Sequence, residues 1–569
     1  MFRSKCCTSP GATSNVTIAL LLRRCVIASV GLAAVGCGSG DGEQRNGEPT
    51  NGLMPGVTVP SVFPPSSGLA QLCVAPRPAG TINPDTGLAY GDVPASLLEE
   101  KGWIRSFVHE TYLWPEDVPE VDPTGYVIGA TVPFVNPANN AQGHIALASV
   151  YDVVKGYFNS QRSPLLTPSG RAKDRYHFTY PTSDWQALER QGNGAGFGFT
   201  ISLISAGPPR KAVVAYTSPG TPALESGIGR GAAILSVNGV DVIYGNDTAT
   251  LNEGLFTPVI GKQYSFEVLD QGAATSRTVA MTAGRFYIFP VPNTQTLPPP
   301  NETVGYMLFT DHIARAEIGL VLAIKQLKAA NGGRGISDLV LDLRYNGGGI
   351  LNIAAELAYM IAGPGLTAGK VFEKELFSSL NPLGSTAGQV TVPFVDVTQG
   401  YSTFPGQPLP YLGLPRVFVI TGSGTCSASE SIINGLLGAG VEVIQIGGGT
   451  CGKPYGFFAR ENCSTTYFNI QFKGVNDRGF GDYSDGFIPG APVAAANKLR
   501  GCAVADDFSS PLGDPAEARL KSALGFLANG SCPPVASAAM KVAPRVGAGR
   551  STDMLMRPAV LENRFLMDH

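Results

Sequence analysis

Residues 336–361 read ISDLVLDLRYNGGGILNIAAELAYMI, and their pattern indicates the fold of the central part of the chain. The mostly apolar run 339–343 is typical of a buried strand, and a turn of three glycines follows it. Apolar side chains then recur at Ile350, Ile353, Leu357 and Ile361, close to the period of a helix. Because glycines lack a Cβ, the backbone amides of this turn can approach a ligand closely. The stretch therefore predicts a strand, a glycine turn and a helix, as in an α/β core.

A second stretch, residues 415–457, reads PRVFVITGSGTCSASESIINGLLGAGVEVIQIGGGTCGKPYGF. Its pattern predicts a strand, a loop, a helix, another strand and another loop. Ser427 falls at the predicted start of the helix, where backbone amides lack intrahelical partners and the helix dipole is positive. Such a position suits the oxyanion of an acyl-transfer reaction. The structural alternative is that Ser427 is an ordinary N-cap, which is the commoner role of a serine there.

These stretches carry a family resemblance. DLRYNGGG is similar to the DLRxNxGG signature of the tail-specific, or C-terminal processing, serine peptidases. TCSASE resembles the S-A-S-A-S-E of the same family, with Cys426 where alanine is usual. The resemblance implies that Ser427 is the nucleophile of a serine peptidase that needs no cofactor. It also implies an α/β core related to the crotonase and ClpP type.

A serine nucleophile needs a base, and Lys453 in CGKPYGF aligns with the lysine that has this role in the family. Lys453 can act only if burial lowers its pKa by several units, so that the amine is neutral before attack. Two departures affect its expected orientation. The spacing from Ser427 is one residue longer than expected, and Phe457 replaces a glutamine often found four residues after this lysine.

Other site residues are inferred from their alignment with the family. Glu430 lies one helical turn after Ser427 and aligns with a glutamate near the site. The predicted oxyanion donors are the backbone amides of Gly348 and Ala428, with Gly349 as the alternative. Asp342 and Arg344 align with residues that brace the active-site loops, although a structural ion pair explains them equally well.

A rival catalytic arrangement uses a histidine, as in the tricorn-type branch of the same superfamily. His177, in KDRYHFTY, precedes the core in a similar place, and Asp485 is a candidate for the acid. A histidine needs no large pKa shift to act as a base near neutral pH. This arrangement would leave the Gly-Lys motif unexplained, so Lys453 is the favoured base.

Residues 191–285 resemble a PDZ domain. Four residues, GFGF, stand where such domains bind a peptide's terminal carboxylate: Gly196, Phe197, Gly198 and Phe199. A PDZ domain adds an extended peptide to a sheet edge. The resemblance therefore implies protein or peptide substrates with exposed C-termini. A generic β domain without a peptide role is the alternative.

The amino end predicts export. Basic residues precede a short apolar run, and small residues lead to Cys37, as in a lipoprotein signal over residues 1–37. An ordinary signal cleaved nearby is the alternative. Residues 38–71 are rich in Gly, Pro and Ser and read as a flexible linker. We therefore expect a protein of the cell envelope, in the periplasm, held to a membrane only by lipid at Cys37.

Six cysteines remain after this segment: Cys73, Cys426, Cys451, Cys463, Cys502 and Cys532. An even number in an exported chain favours disulfides, and six cysteines allow 15 pairings. Local spacing suggests Cys451–Cys463 and Cys502–Cys532. No cysteine pair has CxxC spacing and no histidine lies nearby, so a metal site is not expected.

Composition and pattern complete the prediction of a multidomain α+β protein. A mainly helical region is expected at 72–190, the PDZ-like domain at 191–285, the α/β core at 286–532 and a loosely ordered tail at 533–569. The 569 residues carry a net charge of −3 without a basic stripe, which gives nucleic-acid binding no support. A different-class alternative is a non-catalytic lipoprotein that binds peptide or lipid.

Overall fold

The computed structural model describes residues 63–84, 86–135, 142–191, 193–387, 390–490, 497–534 and 555. The predicted signal with Cys37, and the linker up to residue 62, lie outside these residues. Within the described ranges, no helix is both long and apolar enough to cross a membrane.

A six-stranded sheet forms the centre of the core. Its strands lie in the order Asn293–Thr296, Val304–Leu308, Asp338–Asp342, Arg416–Thr421, Glu442–Gly447 and Gly501–Ala503. The first pair is antiparallel and the other four pairs are parallel. Two central strands, Val304–Leu308 and Asp338–Asp342, are buried along their whole length, as expected for parallel strands covered on both faces.

Helices cover both faces of this sheet. Leu339 and Leu341 pack in one apolar cluster with the helices Ala316–Gly333, Leu351–Ala362 and Ala428–Ala439. Val340 faces the opposite cluster, which the helix Ala518–Asn529 covers. The strands Asp338–Asp342 and Arg416–Thr421 are parallel neighbours, so the glycine turn and the Ser427 loop both leave the same edge of the sheet. That edge, at the carboxyl ends of the strands, is where α/β sheets place ligands.

The region before the PDZ-like domain contains the helices Leu97–Thr111, Val150–Ser160 and Thr182–Gln191. Ser96 begins the first of them with a capping box, because its Oγ accepts the Glu99 amide and the Glu99 carboxylate accepts the Ser96 amide. Short strands, not expected from the sequence, accompany these helices: Leu72–Cys73, Val93–Pro94, Thr131–Val135, Gln142–Ala146 and Phe178–Pro181. The last of them pairs with the core strand Thr465–Phe468, so this region is built into the core.

The PDZ-like domain has a sheet with the strand order Arg277–Thr282, Gln263–Leu269, Ala233–Val237, Lys211–Thr217 and Phe199–Ser205, and Val240–Asp241 pairs with the third strand. The helices Pro222–Glu225 and Thr248–Phe256 accompany it. Buried and exposed residues alternate along Gln263–Leu269, as expected for a sheet with one face on an apolar cluster. Leu555 from the tail packs in this cluster, and its amide donates to the Ala206 carbonyl at 3.0 Å.

Smaller sheets complete the core. One contains Val390–Pro393, Val371–Phe377, Phe472–Val475 and Tyr455–Gly456 in that order, and another contains Arg460–Asn462, Thr465–Phe468 and Phe178–Pro181. Among the described residues, four two-stranded pairings join Leu72–Cys73 to Val93–Pro94, Thr131–Val135 to Gln142–Ala146, Gly284–Tyr287 to Asn193–Gly196, and Ile488–Pro489 to Lys498–Leu499. The remaining α-helices of the described residues are Pro364–Thr367 and Pro382–Ala387, and the 3-10 helices there are Ser66–Gly68, Pro115–Asp117 and Pro123–Gly125.

The cysteines form three disulfides, Cys73–Cys463, Cys426–Cys451 and Cys502–Cys532. The predicted Cys502–Cys532 pair is confirmed, whereas the predicted Cys451–Cys463 pair is wrong. Spacing along the chain misled that prediction, because Cys73 reaches Cys463 across 390 residues once the amino-terminal region joins the core. Cys451 instead meets the cysteine that immediately precedes Ser427.

Candidate active site

Ser427 lies between the strand Arg416–Thr421 and the helix Ala428–Ala439 and is completely buried. Its backbone has φ +61° and ψ −121°, which is unusual for a residue other than glycine and marks a strained position held by its surroundings. Its Oγ has no hydrogen-bond partner among the described residues. The side chain therefore does not act as a helix cap, and the hydroxyl remains available for chemistry.

The glycine turn lies directly against Ser427. A Cβ added to Gly348 would lie 2.8 Å from the Ser427 Cβ and 3.0 Å from the Ala428 nitrogen. The Asn346 carbonyl, in the same turn, accepts the Cys426 amide at 3.1 Å and the Ser429 hydroxyl at 3.1 Å. The fold thus brings the two sequence motifs together, and only glycine fits at position 348.

The predicted oxyanion donors have different surroundings. Ala428 is the first residue of its helix, where an amide has no intrahelical acceptor. The Gly348 amide donates to the Asn346 Oδ1 at 3.0 Å, an oxygen that also lies 3.0 Å from the Nδ1 of buried His312. The Gly348 amide would have to give up this acceptor in order to bind an oxyanion. This contact therefore favours the alternative donor, the amide of Gly349.

Glu430 connects the two loops of the site. One of its carboxylate oxygens, Oε2, accepts the Ser427 amide at 3.0 Å and the Lys453 amide at 2.8 Å. The other, Oε1, accepts the Gly452 amide at 2.8 Å and the Thr450 hydroxyl. Burial raises the pKa of Glu430, while these hydrogen bonds favour the ionised form. A single carboxylate therefore sets the relative position of the serine loop and the lysine loop.

Lys453 is buried, with 1% of its surface exposed. Its Nζ lies 4.3 Å from the centre of the Phe457 ring and 5.0 Å from that of Tyr176. Burial lowers the pKa of Lys453 to about 7, although the charges of Asp174 and Glu430 oppose this shift. Phe457, which departs from the family pattern, is thus part of the apolar surroundings that allow the amine to be neutral.

His177 lies in a separate group of contacts. Its Nε2 lies 2.9 Å from the Phe158 carbonyl oxygen, its ring stacks on Phe158, and its Nδ1 lies 3.4 Å from Asp174 Oδ2. Asp485, the candidate acid, instead binds Thr167, Ser169 and Arg171. Among the described contacts, nothing joins His177 to Asp485 or to Ser427.

Asp342 and Arg344 form a buried ion network. Arg344 binds Asp342, Asp506 and Glu517, and the carboxylate of Asp342 also accepts the Tyr306 hydroxyl at 2.7 Å. These contacts tie the glycine turn to the segment before the helix Ala518–Asn529. Their described partners include neither Ser427 nor Lys453, so bracing of the sheet is the role that the contacts support.

Arg230 extends this network into the PDZ-like domain. It donates to the Tyr345 hydroxyl at 2.6 Å and to Asp506 at 2.9 Å. Tyr345 is a variable position of the DLRYNGGG motif. Sequence reasoning missed this contact because the two residues are 115 positions apart.

Sequence reasoning missed three residues that hold the lysine loop. Two of them lie in KDRYHFTY, and the third lies two residues before this motif. The Tyr176 hydroxyl donates to the Gly452 carbonyl at 2.9 Å, and Arg175 donates to the Cys451 carbonyl at 3.0 Å. Arg171 also donates to the Cys451 carbonyl, at 3.2 Å. The sequence pattern favours His177 as the functional residue of this motif, whereas the neighbours of that histidine make the contacts with the site.

The predicted carboxylate-binding loop of the PDZ-like domain is held by packing and by backbone hydrogen bonds. Phe197 is buried in the domain's apolar cluster, and its carbonyl accepts the Ala223 amide. Gly198 has φ +83° and its carbonyl accepts the Ser218 amide, while Gly196 pairs with Gly284. Phe199 begins the strand Phe199–Ser205, which is the last strand of its sheet. Peptide binding at this edge stays a prediction.

Cys426, Glu430 and Cys451 bring two sulfur atoms and a carboxylate within 4.8 Å of one another. Such a group could hold a metal ion if both sulfurs were thiolates. The disulfide engages both sulfur atoms, so the group is not a metal site in this oxidised form.

Comparison with known proteins agrees with the two motifs. Residues 303–456 match the family model of peptidase family S41, and residues 186–246 match that of the PDZ domain. A putative S41 protease from Bacteroides fragilis is similar over 77% of this chain and 98% of its own, with 19% identity and a TM-score of 0.51, which supports the fold. A photosystem II D1 C-terminal processing protease covers 70% of this chain and 92% of its own, with 17% identity and a TM-score of 0.39. No curated protein sequence matches the chain.

Proposed function

We propose that this chain, a serine peptidase of family S41 with a PDZ domain, is an exported endopeptidase that cleaves proteins or peptides near their C-termini by a Ser-Lys mechanism. The observation that carries the proposal is the Glu430 carboxylate, which accepts the backbone amides of both Ser427 and Lys453. The lysine loop is thereby held beside a buried serine whose hydroxyl has no described partner.

In the proposed reaction, the neutral amine of Lys453 takes the proton of the Ser427 hydroxyl as Oγ attacks the scissile carbonyl carbon. The oxyanion binds the Ala428 amide and an amide of Gly348 or Gly349. The C–N bond then breaks, and the Lys453 ammonium gives its proton to the leaving amine. A water molecule, deprotonated by the same amine, then attacks the ester carbon. The C–Oγ bond breaks and the ammonium returns its proton to Oγ, which restores Ser427.

The lowered pKa of Lys453, about 7, supports this role, because a useful fraction of the amine is neutral near pH 7. His177 has less support as the base, since its Nε2 faces the Phe158 carbonyl and Asp174 occupies its other side. The non-catalytic alternative predicts no reactive serine at all. The two alternatives therefore differ from the proposal in measurable ways.

The proposed substrates follow from the PDZ domain. The strand Phe199–Ser205 is an edge strand in the described sheet, and an extended peptide can pair with such an edge. The GFGF loop at its start, Gly196–Phe199, would bind the terminal carboxylate. We propose that a substrate C-terminus binds there while a nearby segment of the same chain enters the Ser427 site.

The proposed location is the cell envelope, with lipid on Cys37 as the only membrane anchor. Support comes from the signal-like residues 1–37 and from the three disulfides, which are typical of oxidising compartments. Mass spectrometry of the mature amino end tests this point, and an unlipidated end elsewhere would contradict the anchor without contradicting export.

Labelling with a fluorophosphonate, followed by mapping of the adduct, tests the proposed chemistry. We expect one adduct on Ser427 in the native chain and none in the Ser427→Ala variant. An adduct on Ser429 would identify a different nucleophile. Absence of any adduct in a folded, oxidised preparation would favour the non-catalytic binding protein.

A further inference from the structure

The disulfide Cys426–Cys451 joins the two loops of the active site. Cys426 immediately precedes Ser427, and Cys451 is two residues before Lys453. The two Cα atoms lie 5.2 Å apart. The other two disulfides, Cys73–Cys463 and Cys502–Cys532, have no cysteine next to a proposed catalytic residue.

The lysine loop depends on contacts from outside itself. Residues 448–454 form no helix or strand, between Glu442–Gly447 and Tyr455–Gly456. At Cys451 itself, the amide donates to the Thr425 carbonyl at 3.0 Å and arginine side chains donate to the carbonyl. At the following residues, Glu430 accepts the Gly452 and Lys453 amides. The disulfide is the covalent connection from this loop to the serine loop.

The serine loop also needs support, because Ser427 has a positive φ that its own side chain does not favour. Glu430 holds the Ser427 amide on one side. On the other side, the Cys426 amide donates to the Asn346 carbonyl and the Cys426 side chain is held by Cys451. A residue kept in a sparsely populated conformation needs such constraints on both sides.

Reduction would also alter the hydrogen bonds of Glu430. The Cys451 Sγ lies 3.3 Å from Glu430 Oε2, the oxygen that accepts the Ser427 and Lys453 amides. In the disulfide this sulfur carries no proton. A Cys451 thiol could donate to that oxygen and compete with the two amides.

We infer that the Cys426–Cys451 disulfide is a positioning element of the Ser427–Lys453 pair, and that its formation switches the peptidase on. The inference rests on the proposed function. Oxidation removes two protons and two electrons from the cysteine thiols, and a disulfide oxidant takes them up to become two thiols. A chain still in a reducing compartment would then be inactive, and would become active only after export.

The test compares the oxidised full chain with the same chain treated with a dithiol reductant under non-denaturing conditions. Alkylation and mass spectrometry report which disulfide has opened, while kcat, KM and the pH profile are measured on one peptide substrate. We expect activity to track the opening of Cys426–Cys451, with kcat lower by about 100-fold, because small misplacement of reacting groups has effects of this size. KM should change little, and reoxidation should restore kcat.

A pair of double variants provides the matched control. The Cys426→Ala/Cys451→Ala variant removes the disulfide of the site, and Cys502→Ala/Cys532→Ala removes one that closes a similar loop, 30 against 25 residues. Similar loops imply similar effects on the unfolded chain. We expect kcat to fall, and the pH profile to shift, only in the first variant.

Other outcomes would overturn the inference. If the Cys426/Cys451 variant loses thermal stability but keeps kcat and its pH profile, the disulfide is only structural. If reductant inactivates that variant as strongly as the native chain, the sensitive group lies elsewhere. Should a variant fail to fold, the reduction series on the native chain still decides the question. The proposed function has its own readout. If the oxidised native chain gives no Ser427 adduct, the proposed function fails and this inference fails with it. If the native chain forms the adduct but keeps its kcat when Cys426–Cys451 opens, only the inference fails.

Discussion

The loop that carries Lys453 and the segment that carries His177 offer two buried bases, and burial does not distinguish them. Lys453 is 1% exposed and His177 is 4% exposed, and desolvation lowers the pKa of both. Their partners differ. The Lys453 backbone shares the Glu430 carboxylate with Ser427, whereas the His177 ring lies between Phe158 and Asp174. Connection to the proposed nucleophile therefore distinguishes the two candidate bases, whereas burial and chemical type do not.

The largest expected effect is that of Ser427→Ala, and the losses of activity in the Lys453 and His177 variants are compared with it. If Ser427 is the nucleophile, as proposed, its loss should lower kcat by about 10⁴- to 10⁶-fold, because the acyl-enzyme could no longer form. The measurement is peptide cleavage by a folded, oxidised preparation. Ser429→Ala is the control, and it should cost far less although the Ser429 hydroxyl bonds the Asn346 carbonyl.

Lys453→Ala should be nearly as damaging as Ser427→Ala, since the two groups act as a unit in the proposed mechanism. Lys453→Arg should fail too, because a guanidinium does not release its proton at a working pH. The control is Lys101→Ala, which removes another buried lysine, one that bonds the Pro123 and Tyr126 carbonyls far along the chain from the site motifs. If Lys453→Ala merely slowed the enzyme while His177→Ala abolished activity, His177 would be the base and the site would be tricorn-like.

Glu430→Gln tests the connection itself. An amide in place of the carboxylate presents an N–H group where backbone amides now donate, so at least one of the two loops loses its acceptor. We expect kcat to fall by about 100-fold, since buried donors without acceptors are costly. Glu356→Gln is a matched control, because Glu356 is a buried glutamate of the helix Leu351–Ala362 and no described hydrogen bond joins it to either loop. Equal losses in both variants would show that Glu430 only supports the fold.

The sequence could predict those parts of the molecule that depend on local pattern. The strand Asp338–Asp342 and the helix Leu351–Ala362 follow from apolar periodicity around the glycine turn. A family resemblance predicts the PDZ-like domain and the proximity of Ser427 to the glycine turn, because members of one family share a three-dimensional arrangement. The local structure of such a motif does not depend on the path of the rest of the chain, so its residues can be assigned from the sequence.

Contacts between distant segments could not be predicted in this way. Cys73 pairs with Cys463, and Tyr176 binds the Gly452 carbonyl, because the strand Phe178–Pro181 joins the core. A hydrogen bond within a motif was also not predictable from the sequence. The Gly348 amide, a predicted oxyanion donor, donates to Asn346 Oδ1. A spacing rule counts residues along the chain, whereas these contacts depend on which segments the sheet brings together.

The pH dependence of cleavage distinguishes Lys453 from His177 as the base. Burial lowers the pKa of Lys453 to about 7, and the neutral amine is the working form in the proposed Ser-Lys mechanism. That mechanism therefore predicts that kcat/KM rises with pH through that value and levels off above it. Below pH 7 the slope should approach about tenfold per pH unit. A histidine whose pKa is lowered below its usual 6.5 would give a midpoint at clearly more acidic pH. The pH profile therefore reports which of the two regions supplies the base.

The smallest expected effect is that of His177→Phe, and it separates a structural role from a catalytic one. The new ring can keep the stacking on Phe158, whose centre lies 3.9 Å from that of His177, but it loses the contacts with the Phe158 carbonyl and Asp174. Asp174 would still accept the Tyr112 hydroxyl at 2.6 Å and the Tyr176 amide at 2.9 Å, so the segment that holds the lysine loop should keep its shape. We expect kcat/KM to stay within about threefold of the native value while thermal unfolding shifts down by a few degrees, as for the loss of a buried hydrogen bond. A loss comparable to that of Ser427→Ala, in a variant that unfolds at the native temperature, would assign the base to His177 and leave Lys453 as a structural residue of its loop.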